Sequence, residues 1–302
     1  MNSYLESLIT EQVNSSTKNI DTMSTIEILN SINNEDIKVA YAVKKEIPSI
    51  VKAVDIVSEK LKNNGRLFYI GAGTSGRLGI LDASECPATY STDPEIVQGI
   101  IAGGSNAVFT SIEGAEDDED KGKSIIKERG INSKDVVIGI TASGRTPFVI
   151  GAMKAAKRNG ITTIGISNNK NSMINEEVDI KINPIVGPEV IMGSTRMKAG
   201  TSQKLILNMI TTASMVKLGK VYGNLMIDLQ LTNKKLLDRA VRIIEYAANV
   251  KSEKAKEYLE KSDFNPKIAI VMLKTGEEKD KSKELLQKEN GFVTKAIEAY
   301  FK

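Results

Sequence analysis

The side chains able to do chemistry cluster in a few loops. Gly71-Ala72-Gly73-Thr74-Ser75-Gly76-Arg77 and Thr141-Ala142-Ser143-Gly144-Arg145-Thr146-Pro147 share a Ser-Gly-Arg core, and Ser167-Asn168-Asn169 adds a third polar loop. Glycine lets a backbone approach a ligand closely, hydroxyls donate to phosphate oxygens, and the amides that open a following helix face an anion. A fourth segment, Gly193 to Lys204, carries Ser194, Thr195, Arg196 and Lys198 at the start of a long helical pattern. Cations there oppose the helix dipole, a mismatch that points to a bound anion. These features suit a phosphorylated, polyhydroxylated ligand. Ordinary turns and helix caps are the competing reading, since they favour the same residues.

The remaining inventory restricts the reaction. With no His in the chain, Ser-His-Asp and Cys-His catalysis, His-ligated zinc and imidazole proton shuttles are all excluded. Acid and base work falls to carboxylates, Lys, Tyr or a thiol. Glu85 follows the first glycine loop by one helical stretch, and Glu116 opens an acidic run whose later members, Asp117 to Asp120, read as a solvated loop. The single Cys, Cys86, has no His to activate it and reads as a small buried apolar group. One Cys forms no internal disulfide, which fits a reducing compartment. The acidic run has no recognisable metal-ligand spacing.

These loops need a scaffold. Five short apolar runs, 67–70, 96–102, 136–140, 162–166 and 178–182, are separated mostly by helix-like segments. Such runs predict a parallel sheet with crossover helices, and in that arrangement the loops gather at the carboxyl edge where ligands bind. Upstream, Ser24 to Glu27 forms a capping box, followed by helical patterns at 35–46 and 49–61. Downstream lie long helical stretches at 194–218 and 229–248, then three or four short ones. The expected organisation is a helical lead (1–49), a central α/β domain (50–225) and a helical C-terminal region (226–302).

Two motif readings fall away. The 71–76 string is formally GxGxxG, but the next strand ends in Gly103-Gly104-Ser105 where a dinucleotide site wants an acid for the ribose. The 193–204 segment lacks P-loop spacing. A net charge of +3 is too small for nucleic-acid binding through the overall field. Residues 1–12 show no basic segment leading into an apolar stretch, and no apolar run approaches membrane-spanning length, so a soluble cytoplasmic protein without membrane contact is expected.

In GAGTSGRLGILDASECPATY (71–90), IAGG followed by EGAED (101–117), GITASGRTPFVI (139–150), NPIVGPEVIMGSTRMKAGTSQKLILNM (183–209) and GKVYGNLMIDL (219–229), the chain resembles the N-acetylmuramic acid 6-phosphate etherases. The resemblance runs in one order from ITEQVN (9–14) to the C-terminal helices. It implies a sugar isomerase (SIS) domain with a parallel five-stranded sheet, a small ubiquitin-associated-like C-terminal module, a homodimer, and no metal or organic cofactor. The implied reaction cleaves the D-lactyl ether of the phosphorylated amino sugar with water, in amino sugar catabolism and cell-wall recycling.

By the same resemblance Glu85 is the proton donor to the departing lactate, with its pKa raised by burial or a neighbouring charge, and Glu116 is the second catalytic residue. Phosphate binding is expected from Ser75, Ser143 and Thr146, joined by Ser194 and Thr195, with Thr74, Arg77, Arg145 and Lys198 completing the substrate site. Three other functions share this fold. A phosphosugar isomerase would release no lactate. A binding-only regulator of the glucokinase-regulatory type carries two SIS modules, too many for 302 residues. A SIS transcription factor carries an N-terminal DNA-binding module, and residues 1–60 show no basic recognition helix.

Overall fold

The computed structural model describes residues 8–231 and 234–302; the first part of the leader expectation, residues 1–7, lies outside them. The described residues divide into two compact units, 8–84 with 95–211 and 85–94 with 212–231 and 234–302.

The first unit is built on a five-stranded parallel sheet of β1 (Leu67–Gly71), β2 (Val97–Ile101), β3 (Val136–Ile140), β4 (Thr162–Ile166) and β5 (Ile180–Ile182), in the order β2-β1-β3-β4-β5. Strands β1 and β3 are buried at every position, which explains their unbroken apolar runs. Helices α1 (Thr25–Lys45) and α2 (Ile47–Lys62) precede β1, and α3 (Gly73–Tyr90) follows it. Helices α4 (Glu119–Glu128) and α5 (Pro147–Arg158) flank β3 in sequence, and α6 (Lys198–Lys217) follows β5. On one face of the sheet, Phe68, Ile70 and Val137 pack with Ile125, Ile126, Val149 and Met153 of α4 and α5. Helix α3 lies on the other face, so close that a Cβ at Gly79 would stand 2.8 Å from the Tyr69 Cβ.

Chain order reverses between β1 and β3: one crossover leads outward to β2, the other to β3, β4 and β5. Sheets of this kind bind ligands at that switch point, outside the carboxyl ends of the strands. The register pairs Gly71 with Ile140, so the loops after β1 and β3 begin level and side by side.

The second unit is helical, with α7 (Lys234–Ala248), α8 (Ser252–Lys261), α9 (Pro266–Thr275), α10 (Lys279–Lys288) and α11 (Val293–Tyr300) around a core that includes Ile227, Ile244, Leu259 and Ile270. Among the described residues no helix is long and apolar enough to cross a membrane.

Candidate active site

At the switch point lies a cavity of about 550 Å³ lined by Ala72 to Ser75, Ile140 to Ser143, Arg145 to Pro147, Glu116, Asp117, Met173, Gly193, Thr195 and Glu11. Each wall has a local cause. The turn into α3 is tight because Gly71 and Gly76 pack backbone to backbone; a Cβ on Gly71 would sit 2.7 Å from the Gly76 nitrogen. That brings the first turn of α3, with its unpaired amides, to the cavity beside Thr74 and Ser75. Ser75 is 8% exposed, and its hydroxyl donates to Gln203 Oε1 at 2.9 Å.

The β3 loop turns at Gly144, where φ is +75° and a Cβ would meet Ser172 Cβ at 2.1 Å, so only glycine fits. Thr141 and Thr146 share a 2.8 Å hydroxyl contact, and Pro147 begins α5 at a position where a missing N–H costs nothing. Glu116 sits on a short 3-10 turn (Ala115–Asp117) that starts from Gly114 in a left-handed conformation.

The structure gathers Thr74, Ser75, Ser143, Arg145, Thr146, Thr195 and Glu116 on this one cavity. Arg77 lines an adjoining cavity of about 350 Å³ that shares Ala72, Gly73, Glu116 and Asp117 with it, and its Nε donates to Val108 O at 2.8 Å. Ser194 is half-buried and not part of the lining. Glu85 is exposed on α3, ten residues beyond Ser75, and belongs to the second unit.

Two of the expected groups are engaged within the protein. Lys198 is fully buried: its ammonium donates to Glu35 at 2.5 Å and to Val186 O at 2.9 Å. The helix it opens is capped by Glu189, whose carboxylate accepts from the Lys198 and Ala199 amides at 3.0 and 2.9 Å. The anion that the cation-rich helix start called for is therefore supplied by the chain's own glutamates. Burial pushes the Glu189 carboxyl up, against the amides that hold it down. Burial also opposes ionisation of Glu35, but the Lys198 and Lys38 ammoniums outweigh it and hold its carboxyl down to about 2.

The Ser167-Asn168-Asn169 loop is likewise a buttress. Asn168 donates to Pro184 O and Ser202 Oγ at 3.0 and 2.8 Å, and Asn169 donates to the carbonyls of Ala142 and Ser143 at 3.1 and 3.3 Å. Asp82 is buried beneath the site, where it accepts from Tyr69, Asn208 and Thr211 at 2.8, 2.6 and 3.2 Å. Burial raises its pKa despite those donors. Among the described residues no group of three or more His, Cys, Asp or Glu is arranged to hold a metal ion. Sequence reasoning assigned no role to Glu11 or Thr141, although Glu11 lies within the ITEQVN segment.

Comparisons with known proteins agree with this architecture. Residues 49–157 match the glucokinase regulatory protein N-terminal SIS domain, 124–213 match the SIS domain, and 223–290 match the C-terminal lid domain of glucokinase regulatory protein. The chain is 74% identical over 297 residues to the N-acetylmuramic acid 6-phosphate etherase of Clostridium acetobutylicum, covering 98% of each chain. It is 55% identical to that of Clostridioides difficile, covering 98% of this chain and 97% of the relative. Among solved structures, the phosphoheptose isomerase from Neisseria gonorrhoeae is 19% identical, covers 63% of this chain and 98% of its own, and superposes with a TM-score of 0.49.

Proposed function

The chain belongs to the N-acetylmuramic acid 6-phosphate etherase family of enzymes, and from that premise we propose that it cleaves the D-lactyl ether of N-acetylmuramic acid 6-phosphate by elimination and hydration. The products are N-acetylglucosamine 6-phosphate and D-lactate. The observation that carries this reading is a single cavity holding both the hydroxyls of Ser75, Ser143 and Thr146 and the carboxylate of Glu116.

The chemistry needs little else. An ether oxygen is a poor leaving group, but in the open-chain sugar the C1 aldehyde acidifies the C2 proton. Removing that proton lets lactate depart from C3 if an acid protonates its oxygen, and water then adds at C3 of the unsaturated aldehyde. Hydroxyls, helix-start amides and Arg145 hold the phosphate, so that the reacting carbons stay in register with the catalytic groups. Glu116 transfers the C2 proton or activates the water; an acid and a base are each worth roughly 10²–10⁴-fold.

Glu85 donates the proton to lactate. Glu85 is exposed in its own chain, and on this reading the Glu85 that serves a given cavity comes from a second copy. The working unit is then a homodimer. Low cysteine usage supports a reducing, cytoplasmic setting, where the reaction serves amino sugar catabolism and cell-wall recycling.

The test is turnover in heavy-oxygen water. Label at C3 of the product sugar with unlabelled lactate is expected; label in lactate would replace elimination with displacement at the lactyl carbon. A phosphosugar isomerase would release no lactate at all.

A further inference from the structure

Glu11 is a third carboxylate on the cavity, carried there by the helical lead. It sits at the end of a short 3-10 turn (Ile9–Glu11), half-buried, with its Oε2 3.9 Å from where a Cβ on Gly193 would stand. Among the described residues its carboxylate has one hydrogen-bond partner, the neighbouring Thr10 hydroxyl at 3.4 Å, and no cation pairs with it. A group placed only by chance would not be so firmly held. Ile9 N–H donates to Asn169 Oδ1 at 2.7 Å, and Asn169 Nδ2 donates to Thr10 Oγ1 at 3.2 Å and to the carbonyls of Ala142 and Ser143. One amide side chain thus ties the lead to the loop that presents Ser143 and Arg145. Further along, Asn14 and Thr17 donate to Pro188 O and Val190 O at 3.1 and 2.8 Å, which holds the lead against the segment that ends at Gly193.

A carboxylate is an acceptor only, and beside a bound phosphate it would repel. Its complement in the cavity must be a neutral donor. On the etherase reading, which this step depends on, the C6 phosphate faces hydroxyls, amides and Arg145, while C2 and C3 face the catalytic glutamates. In the open-chain sugar both C4 and C5 carry a free hydroxyl, and the C4 hydroxyl is the one next to the reacting C3. We infer that Glu11 accepts the hydrogen bond of the C4 hydroxyl and so acts as a specificity-determining residue, selecting phosphosugars that carry that hydroxyl. A site built to bind a hydroxyl rejects the analogue lacking it far more strongly than an apolar pocket rejects a missing methylene.

The experiment crosses enzyme and substrate changes, reading kcat/KM for lactate release. Glu11→Ala with the parent substrate, and the unaltered enzyme with its 4-deoxy analogue, are each expected to lose roughly ten- to hundredfold, the range for a hydrogen bond to a charged group. Combined, they should lose no more than about threefold beyond either alone, because both remove the same contact. Glu11→Gln, which keeps one acceptor oxygen, should fall between. Competitive inhibition by inorganic phosphate should stay within about threefold in both variants, because Glu11 serves the other end of the sugar. Losses that multiply, or a Glu11→Ala enzyme within about threefold of the parent, would overturn the assignment while leaving the etherase reading intact. If the unaltered enzyme released no lactate from the parent substrate, both would fall.

Discussion

At the residue scale, a hydroxyl in this cavity can hold the ligand or hold the protein, and Ser75 is where the two can be separated. Its hydroxyl donates to Gln203, so Ser75→Ala leaves a buried acceptor without its donor, at about 1–3 kcal/mol. If Ser75 instead turns its one proton to phosphate in the complex, KM rises at least about tenfold with kcat little changed, since a lost charge-assisted bond is worth that much. A lowered melting temperature with unchanged KM would leave Ser75 a support for Gln203 alone. Lys198 can be separated in the same way. Lys198→Met leaves Glu35 with Lys38 as its one cation among the described residues and should cost about 1–3 kcal/mol, whereas an exposed ligand-binding lysine would cost almost nothing. The pair also sets an acid limit. Because the Glu35 carboxyl is held at about 2, below its ordinary 4.5, its contribution is complete above 4.5 and is lost as pH falls towards 2. Denaturant midpoints measured across that window should drop in the parent and show less of this drop in Lys198→Met.

At the element scale, two helices approach through reciprocal glycines. A Cβ on Gly122 of α4 would meet Phe148 O at 2.0 Å, and one on Gly151 of α5 would meet Glu119 O at 2.1 Å. Gly122→Ala must push α5 away, at about 1–3 kcal/mol or more. Since α5 begins at Pro147, beside Thr146 in the cavity wall, kcat/KM should fall with stability; a melting temperature within a degree of the parent would contradict the packing. The strands were legible because β1 and β3 are buried on both faces and read as continuous apolar runs ended by Gly or Thr. The first helix was less so. The capping box at Ser24 and the pattern at 35–46 belong to one helix, α1, because Asn33 and Asn34 are exposed and their weak propensity is outweighed by the buried stripe of Val39, Ala42 and Val43. The cavity loops could be named from residue type and strand position. The ion pair of Lys198 with Glu35, 163 residues apart, and the arrival of Glu11 through irregular 3-10 turns have no periodicity to announce them.

At the scale of the whole molecule, the proposed role of Glu85 asks for more than one chain. Helix α1 leaves Ile26, Leu29, Ile37 and Tyr41 more than half exposed along one side, an apolar stripe of the kind that a second copy covers. If Glu85 serves the partner's cavity, Glu85→Gln and Glu116→Gln should each be inactive for lactate release while still binding substrate. Unfolded together and refolded as a mixture, they should regain activity, because a mixed dimer has one cavity with both native glutamates. Random pairing makes half the dimers mixed, so recovery approaches roughly a quarter of the parent rate. No recovery, with mixed dimers shown to form, would overturn the assignment of Glu85 to the partner's cavity.

The bond network around Asn169 has a practical corollary. Because that one amide fastens Ile9 and Thr10 to the loop after β3, Asn169→Ala should free the seat of Glu11 and the wall that carries Ser143 together, so a single substitution far from either in sequence would register in both.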